Sequence, residues 1–451
     1  MTHVLIITGD PIGARMAGPA IRAWNMAEVL SAENEVALMT TTLLEPVEAV
    51  FALHRVRPGE NAAFARLEAW ADVIVFQGHA MAQFDALRTT QKIVVADIYD
   101  PMHLEMLEQG RELGLATWNL RVSTATAVLN EQLALADFFL CASERQRLFY
   151  LGQLTTLGRV NPATYEDDPH LSKLIAVAPF GLDETAPVHD TDVVKGVRPG
   201  ISVNDKLLIW GGGLYNWFDP LSLITAVARL SQRYPDLRLL FLGTRHPGID
   251  EMGIVRESFD LARELGALDT SVFFNESWVP YAERQSWLLE ADAGVSTHMS
   301  HVETTFAFRT RILDYLWGGL PMVVTEGDSF AQLVAAEGLG VVVAAQDVAG
   351  LEAAIERVLY DKEFAATARE NVQRVREGFV WERALAPLVE FVRSPRHAAD
   401  QQGGRVDRSA GRKRRKPYGP GHEARMFWHY LRAEGPAGAF KRVASRFTQS
   451  R

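Results

Sequence analysis

The sequence predicts an α/β fold built from two doubly wound parallel-sheet domains. Short β-branched runs bounded by Gly, Asp or Pro alternate with longer helical patterns. The runs are apolar throughout, as in strands buried on both faces, and the alternation stops at a polar segment and then starts again. At 451 residues the chain exceeds what one hydrophobic core supports, and its 48% hydrophobic and 23% charged content is that of a globular protein.

In the first half the predicted strands are HVLIIT (3–8), EVALMT (35–40), DVIVFQG (72–78), KIVVADIYD (92–100), FFLCAS (138–143) and IAVAPFG (175–181). Between them lie helices such as 19–31, with Pro19 suited to a first turn, and the long stretch 116–136. The segment from Pro179 to Asp205, rich in Pro, Gly and Asp, marks the boundary. Beyond it the strands are LLIWGG (207–212), LRLLFLG (237–243), SVFFNE (271–276), AGVSTH (293–298), PMVVTE (321–326) and GVVVAA (340–345). The predicted organisation is a first domain over 1–190, a second over 191–378 and a closing helix over 379–393. A disordered basic linker follows over 394–421 and a basic amphipathic tail over 422–451.

The net charge of −10 hides a split. From Arg393 to the end there are 15 Lys+Arg against four Asp+Glu, which leaves 31 against 52 for the body. An acidic body argues against a nucleic-acid-binding surface, whereas the tail, with Phe427, Trp428 and Tyr430, suits an anionic membrane surface. No stretch reaches the roughly 18 apolar residues that span a bilayer, so a cytoplasmic protein, peripheral on the inner face of the plasma membrane, is expected. Cys141 is the only cysteine, which rules out intramolecular disulfides and thiolate zinc sites; its setting is that of a buried strand.

In doubly wound sheets ligands bind beyond the carboxyl ends of the strands, so the strand-to-helix loops are the places to look. TGDPIGARMAGPAIRAW carries Gly9, Gly13 and Gly18 without the dinucleotide spacing, and its length and glycines suit a mobile substrate loop. FQGHA places His79 after a strand. VVADIYDPMHLE gathers Asp97, Asp100, His103 and Glu105, where Asp100-Pro101 also makes a good helix start, so a metal site is not expected. In the second half Gly211, Gly212 and Gly213 directly follow a strand, a run that lets backbone amides approach a ligand. Arg245 and His246 follow the next strand.

HVETTFAFRTRILDYLWGGLP (301–321) is the richest stretch. A helix starting near Phe306 would bury Phe308, Ile312, Leu313, Leu316 and Trp317 and set Arg311, Asp314 and Tyr315 on a separate stripe. An Arg311 to Asp314 ion pair is one account of it. The other is a diphosphate site at a helix N-terminus strengthened by Arg309, with Asp314 further on to accept from a ribose diol.

Five segments carry a family resemblance: GPAIRAWNMAEVLSAENEVALMT, FFLCASERQR, IAVAPFGLD, IWGGGLYNWFDPLSLITAVARL and RTRILDYLWGGLPMVVTEGDSFAQLV. Over residues 1 to 392 the chain resembles a GT-B glycosyltransferase of the family 4-like group. The resemblance implies two Rossmann-like domains facing a cleft, an N-terminal acceptor domain and a C-terminal nucleotide-sugar domain. It further implies sugar transfer from a nucleotide-sugar donor to a glycan or lipid-linked acceptor in cell-surface polysaccharide or glycolipid synthesis. Retention of configuration, with no metal and no cofactor, goes with it.

By the same resemblance Asp314, seven residues before Pro321, holds the ribose, Glu303 contacts the donor sugar, and Gly18 belongs to the first-domain loop. The basic residues that follow the first strand of the second domain in the family are absent from GGGLYNWFDP. Arg309, Arg311 and Arg245 are expected to supply their charge, beside Gly211 to Gly213. Tyr99 stands where a histidine is common, so Tyr99, Asp100 and Glu303 are the expected catalytic residues, and Gly13, His79 and Asp97 the expected acceptor contacts. Two other readings remain open: a nucleotide-sugar epimerase, and a non-catalytic nucleotide-sugar-binding partner of membrane enzymes.

Overall fold

The computed structural model describes residues 1–14, 16–244, 252–277, 279–280, 283–402, 428 and 431. They divide into two compact units, one of Met1–Pro179 with the residues from Leu385 onward, the other of Phe180–Ala384.

The first unit holds β1 (His3–Thr8), β2 (Glu35–Thr40), β3 (Ala52–Arg55), β4 (Val73–Gln77), β5 (Ile93–Asp97), β6 (Phe138–Cys141) and β7 (Ile175–Val177). All pair in parallel, in the order β3-β2-β1-β4-β5-β6-β7. Val4 sits between Val36 and Val73, and all three side chains are buried, as expected of strands covered on both faces. The strand absent from the sequence reading is β3. It is the sheet edge, none of its four residues is fully buried, and it lacks the apolar run that reveals the others.

The second unit holds β8 (Lys206–Trp210), β9 (Leu237–Phe241), β10 (Val272–Phe274), β11 (Ala293–Ser296), β12 (Met322–Thr325) and β13 (Gly340–Val343). Its parallel order is β10-β9-β8-β11-β12-β13. The fold class is therefore the expected one: two parallel sheets, each flanked by helices. Strand order reverses between β1 and β4 in the first unit and between β8 and β11 in the second. Helices leave on opposite faces there, which opens a crevice beyond the strand ends.

The chain returns to the first unit at its end. The predicted closing helix is two short ones, Trp381–Ala384 and Ala386–Arg393. From the second of these Phe391 stacks on Phe138 at 4.3 Å and Arg393 pairs with Glu33. The expected linker begins later than its composition suggests. Ala398 and Gln401 are buried, and Asp400 accepts from the fully buried Arg159 at 2.9 and 3.2 Å. The rest of the expected linker and the basic tail lie outside the described residues, apart from Trp428, which is exposed, and Leu431. Among the described residues no helix is long and apolar enough to cross a membrane.

Candidate active site

At the switch point of the second unit, Tyr315 ties the strand ends together. The Gly211 N–H donates to its hydroxyl at 2.9 Å, and the hydroxyl donates to the Val295 carbonyl at 2.7 Å, with the Ile209 carbonyl at 3.2 Å. Burial pushes this phenol up to about 12, so it remains a donor. Gly294 makes the approach feasible, since a Cβ there would lie 2.4 Å from the Tyr315 ring. Tyr315, placed by periodicity on a stripe separate from the buried one, is itself fully buried. The Gly211–Gly213 turn it holds has Gly212 at φ 80°, a left-handed conformation that favours glycine.

The single helix predicted from Phe306 is two: Val302–Phe306, capped by His301, and Arg311–Trp317. The break at Ala307–Thr310 places Arg309 and Arg311 against the same ring, with their guanidinium carbons 5.0 and 4.0 Å from the centre of Phe218. Arg309 donates to both oxygens of Glu303, at 3.0 and 2.7 Å, and to Thr304 Oγ1 at 3.2 Å. Glu303, expected to contact the donor sugar, is thus bound to Arg309, which had been expected to face phosphate. Both are buried, so each takes the other's charge.

Among the described residues Arg311 has no such carboxylate partner. It lies between the Trp210 ring, at 4.4 Å, and that of Phe218, and donates from Nη2 to the Gly213 carbonyl at 3.0 Å. Its Nη1, Arg309 Nε and Ser296 Oγ are buried polar atoms with no hydrogen-bond partner among the described residues. Burial pulls the Arg311 guanidinium down to about 10, and the nearby Arg309 charge pulls in the same direction. A buried cation facing another cation is stabilised by an anion. The helix it opens has seven residues, so the attraction rests on the guanidinium more than on a helix dipole.

Asp314 is not paired with Arg311. Its Oδ1 accepts from Arg284 Nε at 3.0 Å, while Oδ2 makes no hydrogen bond among the described residues. Burial pushes its carboxyl up and Arg284 draws it back. Arg245 lies outside the described residues.

In the first unit Gly18 opens the helix Gly18–Ser31. That helix buries Arg22, which donates from Nε and Nη2 to Asp97 at 2.7 and 2.8 Å and to the Ala178 and Pro179 carbonyls at 2.8 Å each. Gln77 donates to Asp97 as well, at 2.9 Å. Asp97, expected to meet the acceptor, has both oxygens occupied and serves to hold Arg22. The loop expected to be mobile is anchored: Ile12 N–H donates to Leu43 and Glu45 N–H to Ile12, both at 2.9 Å. Glu45 packs where a Cβ on Gly13 would fall.

Tyr99 lies 5.0 Å from the Arg22 guanidinium. Burial and the charges of Asp100, Asp97 and Asp10 raise it well above the ordinary phenol range, so it can donate a proton in a hydrogen bond but not act as a base. Asp100 is half-buried just ahead of the helix Met102–Gln109. His79 is half-buried before Ala80–Gln83, and burial lowers its imidazole, which keeps it neutral and able to accept.

Asp10, Arg22, Arg284 and Asp183 had no signal in the sequence beyond their residue type. Asp10 follows β1, and burial pushes its carboxyl up to about 6. Among the described residues one trio could offer metal ligands, His189, Asp192 and Glu290. Glu290 is already accepting from the N–H groups of Val193, Val194 and Lys195, at 2.7, 2.9 and 2.6 Å, and anchors that loop.

Two parallel sheets with their switch points and glycine-rich strand ends define a GT-B type of fold. Residues 205–361, within the second unit, match the family described as glycosyl transferases group 1. Among solved structures, sucrose-phosphate synthase from Thermosynechococcus elongatus is similar at a TM-score of 0.66 and 17% identity, covering 87% of this chain and 98% of its own. HepE of Anabaena in complex with UDP-glucose is similar at 0.63 and 17%, covering 87% and 100%. WaaG, a glycosyltransferase involved in lipopolysaccharide biosynthesis, follows at 0.57 and 16%, covering 86% and 100%. No curated protein sequence matches the chain.

Proposed function

We propose that the chain transfers a sugar from a nucleotide-sugar donor, held by the second unit, to a hydroxyl of a glycan or lipid-linked acceptor received at the strand ends of the first. The observation that carries this reading is Arg311, a buried guanidinium beside the Gly211–Gly213 turn that pairs with no carboxylate among the described residues. A diphosphate leaving group needs positive charge where its own charge develops, and a buried arginine supplies it without reorganisation. Arg311 takes the part a metal plays in other transferases, so the reaction is read as metal-independent. Asp314 accepts from the ribose. In the first unit Asp10, Asp100, His79 and Tyr99 are the acceptor-side groups. Retention of configuration, and a place in cell-surface glycan synthesis on the inner face of the membrane, come from the family resemblance and the basic tail.

The test is a melting-temperature screen of the full chain with UDP, GDP, ADP and dTDP and their sugars, alongside Arg311→Met. A ligand that binds only the folded state raises the transition. One nucleotide should raise it in the wild type and fail to do so in the variant. Equal shifts in both would remove Arg311 from the site, and a shift without turnover on any acceptor would favour a non-catalytic binder.

A further inference from the structure

The carboxylate assigned to the ribose does not stand alone. Arg284, 8% exposed, gives Nε to Asp314 Oδ1 at 3.0 Å and Nη2 to Asp183 Oδ2 at 3.3 Å. Its guanidinium carbon lies 4.2 Å from the centre of the Trp317 ring. Trp317 is fixed in turn by donating from Nε1 to the Thr185 carbonyl at 2.8 Å. A guanidinium held by a ring and two carboxylates has one orientation, and Asp314 Oδ1 inherits it. Asp314 itself is 31% exposed, so a ligand can reach it. Burial alone would favour its protonated form, and the Arg284 charge opposes that, keeping an oxygen able to accept from two neighbouring hydroxyls.

We infer that Arg284 is a positioning residue that makes the donor site select a ribose over a dideoxyribose, by tying one oxygen of Asp314 so that the other meets the sugar diol. The inference rests on the donor reading above and deepens it. Asp183, at the start of the second unit, completes the clamp, so ribose selection depends on a segment remote in sequence from the 301–321 stretch.

The experiment is calorimetric titration of the full chain with UDP, GDP and ADP, each against its 2′,3′-dideoxy counterpart. The proteins are wild type, Asp314→Asn, Arg284→Met, Arg284→Gln and Arg284→Lys. The wild type should prefer the ribonucleotide that binds by roughly tenfold, the scale of a hydrogen bond to a charged group. Arg284→Met should bring the ratio below about twofold by weakening the ribonucleotide while the dideoxy form holds its affinity, and Arg284→Lys should recover part of it. A merely structural role would weaken both forms together. An Arg284→Met protein with the wild-type ratio overturns the inference; should that variant not fold, Arg284→Gln decides by the same criterion. A wild type without ribose preference, or an Asp314→Asn protein that retains it, removes Asp314 from the ribose and the inference with it. A wild type that binds none of the six nucleotides overturns the donor reading itself.

Discussion

Arg309 donates from both terminal nitrogens to the two oxygens of Glu303, with the carboxylate 1% and the guanidinium 6% exposed. Removing one member of such a pair leaves the other charge buried and unmatched, at about 3 to 5 kcal/mol. Glu303→Gln should therefore lower the melting temperature by roughly 10 °C for a unit of this size. Nucleoside diphosphate binding should hold or strengthen, because Arg309 gains free positive charge beside Arg311. Scanning calorimetry and titration together check this. Weaker binding of the nucleotide-sugar but not of the nucleoside diphosphate, at unchanged stability, would return Glu303 to the donor sugar.

The opposite pattern is expected at Arg311. Its charge lies in an apolar setting between Trp210 and Phe218 and forms no ion pair with a carboxylate among the described residues. Arg311→Met should leave the unliganded protein as stable as the wild type or more so, since a methionine fills the volume without a desolvated charge. Diphosphate affinity should fall by about 30-fold, on the order of 2 kcal/mol. Titration at two salt concentrations gives the second check, because the wild-type affinity should be the more salt-dependent of the two.

The sheets were legible in the sequence because their strands are buried on both faces, and a run such as VLII has no other common explanation. β3 was not, since an edge strand such as ALHR shows water the polar pattern of a loop. Gly211–Gly213, Arg311 and Asp314 were legible as unusual residues at a strand end and on a helix. Their partners were not: Gly213 is 98 positions from Arg311, Arg284 is 30 from Asp314, and Arg22 is 75 from Asp97. Sequence spacing carries no record of those pairings, which the sheet order creates. The break at Ala307–Thr310 was hidden for another reason. Phe308, inside the break, and Ile312 and Leu313, beyond it, fit one helical period, so periodicity ran a helix through a segment the backbone leaves unwound.

Asp10 offers a test by pH. Burial raises its carboxyl from 3.8 to about 6 in the folded protein, so ionisation is the costly state. That cost is absent below the unfolded value near pH 4, grows as the pH rises, and is complete above about pH 6. Asp10→Asn should accordingly be more stable than the wild type at pH 8, by up to about 3 kcal/mol, and within about 0.5 kcal/mol of it at pH 4. Sugar transfer should fall at the same time, as expected where a group costs stability and serves function. Urea midpoints at the two pH values, with a turnover assay at pH 8, measure both. A variant that is stabilised and fully active would make Asp10 a bystander.

Tyr315 and Gly294 should prove energetically coupled. Gly294→Ala brings a methyl to 2.4 Å from a ring that is fully buried and tied to Gly211 and Val295, so the ring or the β11 backbone must shift. Overpacking of this kind costs about 1 to 3 kcal/mol or more. Tyr315→Phe leaves the ring in place but deprives the buried Gly211 N–H of its acceptor, at about 1 to 3 kcal/mol. It should also weaken diphosphate binding, because the Gly211–Gly213 turn loses its tie. In a Tyr315→Ala background the ring that collides with the new methyl is gone, and Gly294→Ala should then cost under about 1 kcal/mol. Denaturant titration of the four proteins in that cycle gives the coupling directly. Additive losses would mean that the strand, and not the tyrosine, sets the requirement for glycine.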